Sequence, residues 1–100
     1  MLREWLIHDL KKLPEVRQQL QNATNLLEIE WLKRKIADME RLLEQLGEVD
    51  RLIVETLVIE KGKISALTTA TGLSSKEITE RKNEALHLLC QLRFGAGYQP

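Results

Sequence analysis

The sequence predicts an all-α fold, a long N-terminal helical arm followed by a three-helix bundle with a helix-turn-helix, and three observations carry that expectation. Helix formers dominate the 100 residues, with two Pro and four aromatics among them. Apolar residues recur three and four apart from Ile29 to Leu46, the period of a helix packed lengthwise on another. Finally, Ile64 to Leu92 reads as two helices about a glycine turn. No run of alternating β-branched residues suggests a sheet. Leu52 to Ile59 comes nearest, and its period suits a helix as well.

The arm, residues 1–46, opens with Leu2, Trp5, Leu6, Leu10 and Leu13 at helical spacing, which makes a short amphipathic helix. Pro14 lacks an amide hydrogen and pushes Leu13 toward extended backbone, so a break at Lys12 to Leu13 and a restart at Pro14 are expected. Val16, Leu20, Ala23 and Leu27 then continue the pattern, and the phase shifts to Ile29, Leu32, Ile36, Met39, Leu43 and Leu46. Asn22, Thr24 and Asn25 compete for local backbone groups, so a long bent helix and a hairpin broken near Asn25 both remain open. The seam fits two uses equally, pairing with the Leu2 to Leu13 helix or a homodimer through the 16–46 helix. Trp5 and Trp31 are expected as core or dimer anchors.

The second domain, residues 49–93, begins after Gly47, with Asp50 as the expected N-cap of a helix that stops at Lys61-Gly62. The next helix passes through Ile64, Leu67 and Ala70 and ends at Gly72, which tolerates the left-handed conformation of a helix end. Leu73 turns inward. Ser74 and Glu77 form a capping box, so the last helix starts at Ser75 and buries Ile78, Ala85, Leu88 or Leu89, and Leu92. Ser75, Lys76, Thr79, Glu80 and Asn83 then share one exposed edge. Residues 94–100, with Gly95, Gly97 and Pro100, have no periodicity and read as a flexible tail.

Composition limits the function. Formal charge is zero, but Lys61 to Pro100 holds six basic residues against three acidic ones, so the positive balance lies in the C-terminal segment alone. Phosphate contacts from one copy would be few and salt-sensitive unless copies are paired. The single Cys90 rules out an internal disulfide and reads as a small buried hydrophobe. Apolar runs are short and interrupted by charge, which predicts no membrane partner and a cytoplasmic location. An enzyme is not expected: His8 and His87 lie far apart, there is no phosphate-cradling glycine loop, and Glu84, His87 and Cys90 lack a fourth ligand for a closed zinc site. No cofactor or metal is expected.

The stretch TGLSSKEITERKNEALHLL resembles the end of sigma factor region four and related helix-turn-helix regulators. Gly72-Leu73-Ser74 is the turn, Ile78 the inward aliphatic, Arg81-Lys82 the basic middle, and Ala85-Leu86 before Leu89 the apolar end. With a helical arm ahead of it, the chain is similar to the RinA and ArpU type transcriptional regulators of phages and prophages of Gram-positive bacteria. That resemblance implies transcriptional control of phage genes, with double-stranded DNA as partner. Glu77, Glu80 and Glu84 depart from it, since such readers are usually richer in Arg.

If the module reads DNA, Ser75, Lys76, Thr79 and Asn83 face the groove, with Asn83 placed to pair with adenine and Glu80 to accept from a cytosine amine. Lys63, Lys82 and Arg93 lie nearer phosphates and position more than specify. Helix, turn and helix is also an ordinary αα-hairpin. A phage packaging protein of the small-terminase type and an adaptor acting on RNA polymerase are the alternatives.

Overall fold

The computed structural model describes residues 2–95, and no strand occurs among them. Helix α1 (Leu2–Asn22) passes through Pro14 without the break that its missing amide predicts. An interior proline costs about 3 kcal/mol. Leu10, Leu13 and Val16 are buried on either side of it, and each such burial stabilises by roughly 1.5–3 kcal/mol, so packing outweighs the local preference.

The chain then turns at Ala23 to Asn25. The side-chain oxygen of Asn25 accepts from the amides of Leu27 (2.9 Å) and Glu28 (3.3 Å) and caps α2 (Leu26–Glu44). A helical hairpin forms rather than a long bent helix. The stretch 16–46 is therefore divided between two helices, and Leu32, Met39 and Leu43 of its seam are buried within one chain. Trp5 and Trp31 sit one residue off their buried neighbours Leu6 and Leu32, and both are exposed (62% and 58%). Neither is a core anchor.

Helix α3 (Glu48–Val54) starts three residues earlier than expected, with Gly47 as an N-cap that offers no side chain. Asp50 lies inside the first turn, where its charge still favours the positive helix end, and its carboxylate reaches Arg81 at 3.4 Å. The helix widens directly into a π-helical turn, Glu55–Ile59, in which the Glu60 amide donates to the Glu55 carbonyl at 2.8 Å. Arg51 donates to Glu55 at 2.8 Å across this junction, and that hydrogen bond raises the guanidinium pKa above its ordinary value. The left-handed residue after the turn is Lys61 (φ 56°), not Gly62. Gly62 is required for closeness instead. Its amide donates to the Thr56 carbonyl at 2.6 Å, and a Cβ there would stand 3.0 Å from the Thr56 carbonyl oxygen and methyl.

Helices α4 (Ile64–Thr71) and α5 (Ser75–Phe94) follow as the turn chemistry predicts. Two clusters of buried side chains hold the molecule. The first joins Leu6, Leu10 and Leu13 of α1 and Met39 and Leu43 of α2 to Val54, Val58, Ile59, Leu86 and Leu89. The second is small: Ile53, Leu67 and Ile78, with Leu57, Ile64 and Leu73 packed against it. The first cluster thus draws on both sides of the 46/49 boundary, and neighbouring residues serve both clusters, Ile53 facing the second and Val54 the first in α3, Leu57 and Val58 likewise in the π turn.

Helix α5 continues through Phe94, which the sequence assigned to the tail, because Phe94 packs against the first cluster. Of that tail, residues 96–100 lie outside the described residues. No helix among the described residues is long and apolar enough to cross a membrane.

Candidate nucleic-acid interface

The turn between α4 and α5 is fixed by short-range bonds. Gly72 ends α4 at φ 75°, in the left-handed region. The Thr71 hydroxyl donates to the Leu67 carbonyl (2.6 Å) and accepts from the Leu73 amide (3.2 Å), which holds Leu73 half-buried against the second cluster. Ser74 then caps α5. Its hydroxyl oxygen accepts from the Glu77 amide at 3.2 Å, and the Glu77 carboxylate accepts from the Ser74 amide at 3.4 Å and hydroxyl at 3.0 Å. The carboxylate therefore stands at the positive end of α5 and opposes a phosphate there. Ser74→Ala should lower stability by about 1 kcal/mol, read as a lower urea midpoint at unchanged slope.

Ser75, Lys76, Thr79, Glu80 and Asn83 are exposed along one edge of α5. Thr79 donates its hydroxyl to the Ser75 carbonyl at 3.0 Å, a bond it would exchange to meet a base. Lys82 is half-buried, and Lys63 is exposed at the start of α4. The stripe that begins at Ser75 and Thr79 continues along the helix as Leu86 and Cys90, which are buried in the cluster shared with α1. Only the first turns of α5 therefore project clear of the first helix.

Asn83 marks where that cover begins. Its side-chain oxygen accepts from the Arg3 guanidinium at 2.7 Å, so pairing with adenine through both amide atoms requires Arg3 to move aside. Arg3 thereby brings a guanidinium to the edge, a contact across 80 positions that no local pattern signals. Two other cations are withdrawn by partners: Arg81 faces Asp50, and Arg93 is held by Asp9 at 2.6 Å. Arg93 does not lie free for phosphates. Lys61, Lys63, Lys76 and Lys82 carry no ion pair among the described residues.

Cys90 is fully buried, and no group of three or more His, Cys, Asp or Glu among the described residues is placed to hold a metal ion. Glu84, His87 and Cys90 do not form one. No family model, curated protein or solved structure matches this chain.

Proposed function

We propose that this protein is a sequence-reading, DNA-binding transcriptional regulator of phage or prophage genes that lays the first turns of α5 in the major groove. The observation that supports this reading is the capped start of α5, with Ser75, Lys76, Thr79 and Glu80 exposed on one edge beyond the cover of α1. Lys76 and Glu80 offer a donor and an acceptor to base edges, while Lys63 and Lys82 flank them toward phosphates. Asn83 joins the reading when Arg3 turns to a phosphate or a guanine. Four lysines per copy make weak contacts, so binding by a homodimer is part of the proposal. Leu26 and Leu27, exposed at the tip of the α1–α2 hairpin, offer the apolar surface for it.

The test is binding to duplexes drawn from the promoters beside its own gene, at roughly 50 and 200 mM salt. Lys63→Gln and Lys82→Gln should each weaken binding to all sequences and reduce the salt slope by about one. Binding that nonspecific DNA displaces without preference sinks the reading. The small number of unpaired cations per copy favours one alternative, a ring-forming packaging protein of the small-terminase type in which many copies share the contacts. A mass of eight or more copies in solution would select that alternative, and a dimer the regulator.

A further inference from the structure

Helices α1 and α2 and the end of α5 enclose an open groove of about 510 Å³. Its floor is apolar, formed by Leu13, Val16, Met39, Leu42 and Leu92, and Leu92 is 48% exposed there. The rim is charged, and its charges do not balance. Asp9 is held by Arg93 at 2.6 Å and Asp38 is hydrogen-bonded to Arg41, so each rim acid already has its cation. Lys12 on the α1 edge and Lys35 on the α2 edge make no ion pair among the described residues; Lys35 lies over the Trp31 ring, 4.7 Å from its centroid.

A trough between two helices accepts a third helix that presents apolar residues at three and four spacing. Uncompensated cations on both edges select what flanks those residues. We propose that this groove docks an amphipathic helix of a partner protein whose apolar stripe carries carboxylates on both sides. The chain's own α2 meets that description only in part, because beside its exposed Leu27 and Trp31 the carboxylates of Glu28 and Glu30 are mixed with Arg34 and Lys35, which in a second copy would set like charge against like. Helix α3, at seven residues, is too short to fill the groove. The groove lies about 25 Å along α5 from Ser75, so occupation of one surface leaves the other open.

The test titrates the full chain with two synthetic helical peptides that share one leucine stripe, one flanked by Glu and the other by Lys. Binding is read by calorimetry and by the fluorescence of Trp31 beside the groove. The Glu peptide should bind about tenfold more tightly than the Lys peptide, and Lys12→Glu with Lys35→Glu should invert that preference. Leu92→Glu should weaken the Glu peptide by at least as much. The paired lysine variants change surface residues alone, so the test stands even if Leu92→Glu does not fold. Equal binding of both peptides, or no binding below about 1 mM, overturns the proposal. Sedimentation showing that Leu92→Glu splits a dimer overturns it too, by giving the groove to a second copy. None of these readouts depends on DNA.

Discussion

Leu10→Ala is expected to destabilise the whole molecule by about 2–5 kcal/mol. Leu10 has no exposed surface and sits in the cluster that joins α1 and α2 to the π turn and α5. Truncation removes its transfer free energy and leaves a cavity between helices too interlocked to close over it. Since a domain of this size has roughly 5–15 kcal/mol in all, the variant loses a large part of its stability. The prediction also separates two pictures of the arm. An appendage would melt by itself and leave residues 49–93 untouched. A structural member takes the rest with it, so urea denaturation followed by helicity should stay one transition at a lower midpoint, and a fragment of residues 49–93 should not melt cooperatively.

The second large effect is local. Ile78→Ala should cost a similar 2–5 kcal/mol, yet it should act first on α4. The second cluster has three fully buried members, Ile53, Leu67 and Ile78, and α4 has eight residues, far below the length at which a helix is stable alone. Removal of the α5 contribution unlatches α4 while Leu86 and Leu89 still hold the rest of α5. Hydrogen exchange should show α4 amides losing protection well ahead of those around Leu89, with duplex binding lost at the same time. Equal protection of the two segments in the variant would contradict this division into two clusters.

What could be read from the residues and what could not divides by distance along the chain. Gly72, Ser74 and Glu77 act within a few positions of one another, and the turn and cap they predict are those that form. The 29–46 seam was equally legible as a helix face. Its partner was not, because internal pairing depends on whether Asn25 captures two amides and folds the arm back. Pro14 misled for the opposite reason: its local preference is strong, and burial from three elements overrides it. The π turn, the left-handed Lys61 and the close approach at Gly62 answer to the need to face two clusters at once, which no window of residues shows. At the candidate interface the exposed edge of α5 was readable from helical spacing. The loss of Arg81 to Asp50 and the arrival of Arg3 at Asn83 were not, because their partners lie 31 and 80 positions away.

The bonds from Arg3 to Asn83 and from Asp9 to Arg93 also show that α1 and α5 run parallel, side by side, with nearly the whole described chain between them. That arrangement sets the order of assembly. The α1–α2 hairpin closes over a short loop and can form within microseconds, as can the turn between α4 and α5. Joining those halves means closing a loop of about 80 residues, whose entropy must be lost before the first cluster returns anything. During synthesis, the apolar face of α1 waits for a helix made about 80 residues later. Until then it stays open to chaperones, or to the same helix of another chain.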